Sequence, residues 1–305
     1  MILSTSPLVG PALTTLGQRH RVVLHPFRSE GWNAALPEAR ALLVLLSEPL
    51  TEADLDRAPG LRAIGTYSVG VNHLPLPACE ARGIEVVNTS GTLTDATADL
   101  ALALLLAVTR RVAEGEALVR SGTWKGWAPD QLLGIGLAGK TCGILGAGPI
   151  GRAFARRAWA LGMHVAFWDR EGRGGTVAFG PASAPRLPLA DLLGRSAVLS
   201  LHCPLTTDTR GLLDGAALAL LPEGAVVINT ARGGILDEGA LMDALDAGRL
   251  GGAGLDVYAG EPDLDPRWLR TPRAVLLPHL GSATVETRAA MAQQLCEGTA
   301  AALAR

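Results

Sequence analysis

The sequence predicts an α/β protein built on two doubly wound parallel sheets. Short apolar runs alternate with helical stretches along almost the whole chain of 305 residues, which is typical of repeated βα units. The alternation is interrupted around residues 121–139, where Trp and Gly are concentrated, and it restarts at Lys140. A chain of this length can form two domains, each with a core of its own.

The predicted strands follow this alternation. In the first third, strands bounded by Pro, Gly and Asn are predicted at residues 21–25, 41–46, 61–66 and 85–89. A long helical segment is predicted from about Asp95 to Arg120. In the second part, strands are predicted at residues 141–145, 164–168, 197–202, 226–229, 252–257 and 274–277. Residues 282–304 predict a helix that packs back on the first domain, which gives domains of 1–96 with 284–305 and of 97–283.

Composition excludes several classes of function. The formal net charge of −2 gives no general attraction to nucleic acid or to an anionic membrane. The mean hydropathy is high at +0.27, but the longest apolar run, Leu100 to Val108, is far shorter than the roughly 20 residues that span a bilayer. The four cysteines lack metal or disulfide spacing, and no histidine has a metal partner at ligand spacing. We therefore expect a cytoplasmic protein without a metal site.

A glycine-rich motif predicts a Rossmann dinucleotide-binding domain. Gly146-Ala-Gly148-Pro-Ile-Gly151 follows a predicted strand and begins a predicted helix. In such a turn, Gly146 permits the sharp bend, Gly148 leaves room for a pyrophosphate, and Gly151 lets helix and strand pack closely. The helix N-terminus offers unpaired N–H groups to the phosphates, and Pro149 is tolerated there because its missing donor is not needed.

The residue that ends the next predicted strand indicates which dinucleotide binds. Asp169 lies 18 residues beyond Gly151, where an acid accepts hydrogen bonds from the adenosine ribose and repels a 2′-phosphate. This favours NAD. Arg170 leaves NADP open, because its guanidinium could bind the extra phosphate or merely cover the adenine.

Three segments at the ends of late strands carry reactive groups. They are Asn229-Thr-Ala-Arg232, Gly260-Glu261-Pro and Pro278-His279-Leu. In an open α/β sheet, ligands bind at this edge. Each residue alone is common as a surface charge or a turn residue. Their joint placement after a dinucleotide motif indicates a functional site.

The three side chains suit the reduction of a 2-keto acid. Arg232 can hold the substrate carboxylate with a planar fork and polarise the carbonyl. His279 can donate the proton on reduction and accept it on oxidation. Glu261 is expected to hold and orient the imidazolium.

At these motifs the chain resembles the D-isomer-specific 2-hydroxyacid dehydrogenases, and most closely their glyoxylate/hydroxypyruvate reductase branch. The resemblance extends from about Leu61 to Met291 and includes Thr230-Ala-Arg232-Gly, Gly260-Glu261-Pro and Pro278-His279-Leu-Gly-Ser-Ala-Thr. The segments 121–127 and 277–288 indicate the branch. The resemblance implies a discontinuous flavodoxin-like substrate domain, a Rossmann domain, a small 2-keto or 2-hydroxy acid as ligand, and a homodimer.

The resemblance also implies further site residues. Cofactor contacts are implied for Thr97, Ile150, Cys203, Pro204, Thr230, Ala231 and Asp256. The backbone N–H groups of Val69 and Gly70 are implied to bind the substrate carboxylate, close to Asn72, where the family usually has Asp. Trp124 or Trp127 could reach a neighbouring active site, and core packing or a dimer contact explains them equally well. The other histidines are interpreted as structural, although His73 and His202 flank predicted binding loops.

Two alternatives to this function remain. One is a non-catalytic NAD(H)-sensing protein, as the family's resemblance to transcriptional corepressors permits, and the retained Arg, Glu and His argue against it. The other is a dehydrogenase of the same family for another small acid, such as D-lactate, phosphoglycerate, formate or phosphite. Turnover across a panel of acids separates these hypotheses.

Overall fold

The computed structural model describes residues 1–170 and 174–305, and these form two compact units. Unit 1 consists of Met1–Leu93 and Ser282–Arg305, and unit 2 consists of Thr94–Gly281. The predicted domain boundaries, after residues 96 and 283, lie three and two residues further along the chain. Among the described residues, no helix combines the length and the apolar character that crossing a membrane requires.

Unit 1 is built on a five-stranded sheet in which all pairings are parallel. Its strands are β1 (Ile2–Ser4), β2 (Val22–Leu24), β3 (Ala41–Val44), β4 (Ala63–Thr66) and β5 (Glu85–Val87), in the order β2-β1-β3-β4-β5. Its helices are α1 (Ala12–Gly17), α2 (Glu30–Ala35), α3 (Glu52–Asp56), α4 (Leu76–Ala81) and the C-terminal helix (Val285–Ala304), with a 3₁₀ turn at Leu36–Glu38. This strand order is the flavodoxin-like one, as predicted.

Strand β1 was not predicted from the sequence, and it has three residues, as β2 and β5 do. The C-terminal helix lies directly against β4. A Cβ added at Gly65 would come within 2.7 Å of Leu295 and 2.8 Å of Thr299, so this glycine allows the helix to reach the sheet.

Unit 2 is built on a six-stranded parallel sheet and a small antiparallel hairpin. The sheet strands are β6 (Thr141–Leu145), β7 (His164–Trp168), β10 (Val198–Leu201), β11 (Val226–Asn229), β12 (Gly252–Leu255) and β13 (Ala274–Leu276), and the hairpin strands are β8 (Thr176–Ala178) and β9 (Ser183–Pro185). The helices are α5 (Thr94–Thr109), α6 (Val112–Arg120), α7 (Pro149–Ala160), α8 (Leu189–Arg195), α9 (Gly215–Ala219) and α10 (Glu238–Asp246), with 3₁₀ turns at Gly233–Ile235 and Pro266–Leu269. The predicted two-sheet α/β fold is therefore confirmed.

The strand order of unit 2 creates a topological switch point. The order is β13-β12-β11-β10-β6-β7, so the chain leaves β6 toward β7 on one side and later returns to β10 on the other. Apolar side chains of α5 and α7 cover one face of the sheet, and those of α8, α9 and α10 cover the other. The crevice beside the carboxyl end of β6 is where such sheets bind ligands.

The helical segment predicted at about residues 95–120 consists of two helices. These are α5 and α6, separated at Arg111, whose φ of 54° is left-handed. Helix α5 ends at Thr109, whose carbonyl accepts a hydrogen bond from Ile135 N–H (3.0 Å) in place of a helical partner. Leu104 and Leu105 of α5 are buried in the core of unit 2, so internal packing accounts for these two leucines.

Candidate active site

The glycine turn after β6 is defined by backbone contacts. Gly146 has a φ of +108°, and a Cβ there would lie 2.7 Å from the backbone of His202 and Cys203. A Cβ at Gly151 would lie 2.0 Å from the carbonyl oxygen of Gly146. A Cβ at Gly148, by contrast, would meet nothing within 4 Å. Two glycines are thus required for packing, and the third leaves open space at the N-terminus of α7.

Three buried polar atoms of unit 2 have no hydrogen-bond partner among the described residues. They are Asp169 Oδ1, His202 Nδ1 and Thr230 Oγ1. Each residue directly follows a strand, namely β7, β10 and β11, so all three lie at the carboxyl edge of the sheet. Since buried polar groups normally find partners, a polar ligand along this edge explains them, and a dinucleotide has the required donors and acceptors. The residues therefore fit the predicted cofactor.

His202 is a candidate that the sequence interpretation treated as structural. Its Nε2 lies 2.9 Å from Ser200 Oγ, and its ring packs against Phe154. Burial lowers the pKa of His202 to about 3, so its imidazole is neutral. The one signal in the sequence was its position beside a predicted binding loop; the packing of its ring against Phe154, which lies 48 residues earlier, follows no local pattern.

The residues near the adenosine end form two ion pairs. Asp169 Oδ2 accepts a hydrogen bond from Arg186 Nε at 2.8 Å. Arg170, which the sequence analysis considered for a 2′-phosphate, lies 3.3 Å from Asp208. Arg186 was missed because it lies 17 residues after Asp169 and belongs to no motif.

Most other predicted cofactor residues also follow strands at this edge. Ile150 follows β6, Cys203 and Pro204 follow β10, Ala231 follows β11 and Asp256 follows β12. Burial raises the pKa of the Cys203 thiol to about 11, so it is protonated. Thr97 lies on α5, and its hydroxyl donates to the carbonyl of Gly281 at 2.9 Å. The cofactor roles of these residues stay predictions.

His279 and Glu261 are brought together by the loops after β13 and β12. His279 Nδ1 lies 2.8 Å from Glu261 Oε2, and Glu261 Oε1 accepts the backbone N–H of Tyr258 at 2.8 Å. Burial would raise the pKa of Glu261, but the hydrogen bonds from His279 and Tyr258 outweigh it, and the pKa is lowered. An ionised carboxylate only accepts hydrogen bonds, so Nδ1 carries the proton and Nε2 is left for another partner.

The buried carboxylate of Asp256 supports the backbone beside His279. His279 has a left-handed φ of 56°, which is unusual for a residue with a side chain. Asp256 accepts the backbone N–H of Leu280 at 2.6 Å and that of Gly281 at 2.8 Å. Burial raises the pKa of Asp256, although these two hydrogen bonds oppose the rise. The carboxylate therefore fixes the two residues that follow His279.

Arg232 is positioned by residues that the sequence analysis did not assign. The side chain of Asn229, which is fully buried, donates to the carbonyl of Arg232 and accepts from Ala231 N–H, both at 2.9 Å. A Cβ at Gly233 would lie 1.9 Å from the carbonyl carbon of Tyr258, so the loop after β11 packs directly against the loop after β12. Burial lowers the pKa of Arg232, Glu261 opposes this, and the guanidinium stays charged.

The comparison with protein families shows to which family the chain belongs. Residues 102–281 match the model of the D-isomer specific 2-hydroxyacid dehydrogenase, NAD binding domain, which is more than half of the chain. The chain belongs to this dehydrogenase family. It is an NAD(P)-dependent oxidoreductase of 2-hydroxy acids, as the motifs predicted.

Individual members of the dehydrogenase family are similar over most of their length. A glyoxylate reductase of Thermococcus litoralis is 44% identical over 260 residues, which are 84% of this chain and 78% of that protein. A glycerate dehydrogenase of Hyphomicrobium methylovorum is 38% identical over 298 residues, 96% of this chain and 92% of that protein. A crystal structure of a Thermus thermophilus protein has a TM-score of 0.91 at 44% identity and covers 99% of this chain and 96% of that one.

The dehydrogenase chain places its predicted substrate residues, Val69 and Gly70, in unit 1, in the loop between β4 and α4. Their carbonyls are occupied: Asn88 Nδ2 donates to Val69 O at 3.0 Å, and Ser68 Oγ donates to Gly70 O at 2.6 Å. Within unit 1, their backbone N–H groups donate to no acceptor. Thr66 Oγ1 lies 2.9 Å from His73 Nε2 and 2.8 Å from Ser68 Oγ, so side chains fix this loop while its donors stay available.

Proposed function

We propose that this dehydrogenase reduces a small 2-keto acid, such as glyoxylate or hydroxypyruvate, to the D-2-hydroxy acid. The observation that carries the proposal is the contact of 2.8 Å between His279 Nδ1 and Glu261 Oε2, because it leaves Nε2 free for proton transfer. The names of its relatives, glyoxylate reductase and glycerate dehydrogenase, support a small substrate.

Each residue of the proposed site has one task. Gly146, Gly148, Pro149, Ile150 and Gly151 with the N-terminus of α7 would hold the cofactor phosphates, and Asp169 its ribose. When bound, the nicotinamide cofactor supplies the hydride. Arg232 would bind the substrate carboxylate and polarise the keto oxygen. In unit 1, the N–H groups of Val69 and Gly70 are proposed as donors to an acid substrate.

In the proposed reaction, His279 transfers the proton. The imidazolium donates the proton from Nε2 to the oxygen of the substrate as negative charge develops there. Glu261 accepts the hydrogen bond from Nδ1–H, which fixes the orientation of the ring and directs Nε2 to the substrate. In the oxidation direction, the same nitrogen accepts the proton.

The domain roles and the setting are part of the proposal. Unit 1 would be the substrate domain and unit 2 the NAD-binding domain. We further propose a homodimer, supported by the exposed indoles of Trp124 and Trp127, and a reducing cytoplasm, supported by four buried free cysteines. No nucleic acid or membrane partner is proposed.

The experiment that tests the function is a panel of glyoxylate, hydroxypyruvate, pyruvate and bulkier 2-keto acids with NADH. We expect oxidation of NADH with the small acids, and His279→Ala should slow it by about 10²- to 10⁴-fold while NADH still binds. His164→Ala, at an exposed histidine that begins β7, is the control and should leave the rate unchanged.

Two results would contradict the proposal. A near-normal rate in His279→Ala would remove His279 from the mechanism. Tight NADH binding without turnover on any acid would favour the NAD(H)-sensing alternative. Turnover with D-lactate or another family substrate alone would keep the mechanism and correct the substrate.

A further inference from the structure

We propose that Arg186 sets the cofactor selectivity of this dehydrogenase, because it pairs with Asp169 and so lets the adenosine site accept NADPH as well as NADH. This inference rests on the proposed cofactor role of Asp169. An unpaired acid at that position repels a 2′-phosphate. The ion pair of an acid with a bound guanidinium has no net charge, so it repels the 2′-phosphate much less.

The first observation is the geometry of the pair. Arg186 Nε donates to Asp169 Oδ2 at 2.8 Å, and the two side chains are only 22% and 19% exposed. A contact this sheltered is screened less than a surface ion pair. Asp169 Oδ1 stays without a partner among the described residues, so the pairing does not consume the oxygen that a ribose hydroxyl would use.

The second observation is that the backbone builds Arg186 into this place. Arg186 forms a parallel bridge with Phe167, and the N–H of Leu187 donates to the carbonyl of Phe167 at 2.8 Å. The chain after the β8–β9 hairpin therefore runs beside β7, close to where that strand ends before Asp169. Arg186 also donates from Nη1 to the carbonyl of Thr176 in β8, at 3.3 Å. Main-chain pairing and side-chain hydrogen bonds together hold the guanidinium beside the acid.

The third observation concerns the adjacent arginine. Arg170 follows Asp169 in the sequence, but its guanidinium lies 3.3 Å from Asp208 and both side chains are well exposed. Such an exposed pair contributes little and is screened by salt. Among the residues that the structure describes, Arg186 is thus the arginine that pairs with Asp169.

The test measures binding of NADH and of NADPH by fluorescence titration, without substrate, for the wild type and for Arg186→Met. In the wild type the two dissociation constants should lie within about tenfold of each other, since the pair is neutral. Arg186→Met should weaken NADPH binding by about tenfold or more and change NADH binding much less, because a lone carboxylate then faces the 2′-phosphate.

Two further variants separate charge from structure. Arg186→Lys keeps the positive charge and should retain most of the NADPH affinity, even where Arg186→Met loosens the hairpin. Arg267→Met breaks an Arg–Asp contact of 2.6 Å with Asp243 elsewhere in unit 2 and should leave the ratio of the two affinities unchanged. Melting temperatures of all variants report whether the fold is intact.

The inference is overturned if folded Arg186→Met binds NADH and NADPH in the wild-type ratio. It is also overturned if the wild type already rejects NADPH by far more than tenfold while binding NADH. Neither result affects the proposed reduction, which is judged from keto-acid turnover with NADH. Conversely, absence of turnover with normal nucleotide binding contradicts the proposed function and leaves the inference on selectivity standing.

Discussion

The glycine turn and the catalytic loops of unit 2 lie at the same sheet edge, but they are built differently. In the turn, backbone packs on backbone, and Gly151 lies so close to Gly146 that no side chain fits. In the catalytic loops, buried side chains hold the backbone, as Asp256 does for Leu280 and Gly281. The turn therefore depends on glycines that have no side chain, and the loops depend on a few buried polar side chains.

This difference predicts different consequences of substitution. At Gly146 and Gly151 of the turn, an added methyl group creates a steric conflict that cannot relax without moving backbone. In the loops, an altered side chain leaves the fold in place but loosens the geometry of the reacting groups. The three predictions below test this contrast, beginning with the largest effect.

Gly151→Ala should have the largest effect. Its Cβ would lie 2.0 Å from the carbonyl oxygen of Gly146, and we expect the free energy of unfolding to fall by about 3 kcal/mol or more.

Gly148→Ala is the matched comparison, because its Cβ would meet nothing within 4 Å and the residue has an ordinary φ of −72°. It should melt like the wild type and bind NADH weakly, since its methyl group occupies the space left for phosphate. Equal melting of the two variants would contradict this account, and calorimetry with NADH titration measures both.

Asp256→Asn should have an intermediate effect, on catalysis. An amide nitrogen would face one of the two N–H donors that the carboxylate now accepts. Hydrogen bonds to charged groups contribute about 1.5–3 kcal/mol, so we expect kcat/KM to fall by about tenfold to a hundredfold.

The control for this variant is Asp214→Asn. Asp214 also accepts a backbone N–H, from Ala217 at the start of α9, and Asn serves there equally well. It should keep full activity. An unchanged kcat/KM in Asp256→Asn would show that the backbone after His279 is held by other contacts.

Glu261→Gln should have the smallest effect on stability and a clear dependence on pH. The folded-state pKa of Glu261 is lowered, so its ionised form stabilises the fold above the ordinary value of 4.5, and this contribution is lost as the pH falls through the lowered pKa. The wild type should therefore lose more unfolding free energy on acidification than Glu261→Gln, by about 1 kcal/mol at most. Denaturant titrations at a series of acidic pH values measure it, and parallel curves would exclude a lowered pKa.

The same contrast explains what the sequence could predict. The glycine spacing, the acid Asp169 and strands such as β6 and β7 follow from local patterns, and the structure places them as expected. Glu261 and His279 were predicted as partners from the chemistry they share, and their side chains lie in contact. Predicting Glu261 and His279 as a pair needed only their residue types and their positions after strands.

What the sequence did not reveal depends on contacts between distant residues. Asp256 supports residues 24 and 25 positions later, and Arg186 reaches back 17 positions to Asp169. At the end of α5, the carbonyl of Thr109 accepts the N–H of Ile135, which lies far along the chain. No local period or motif encodes such pairings, since they are decided only when the chain has folded.

The contact of Gly233 with the backbone of Tyr258 also matters for redesign of the enzyme. Tyr258 in turn donates its N–H to Glu261. The loops after β11 and β12 are therefore packed together, and a shift of one displaces the other. Grafting the arginine loop of another dehydrogenase would displace the acid as well. The two loops are best exchanged together, as a single cassette.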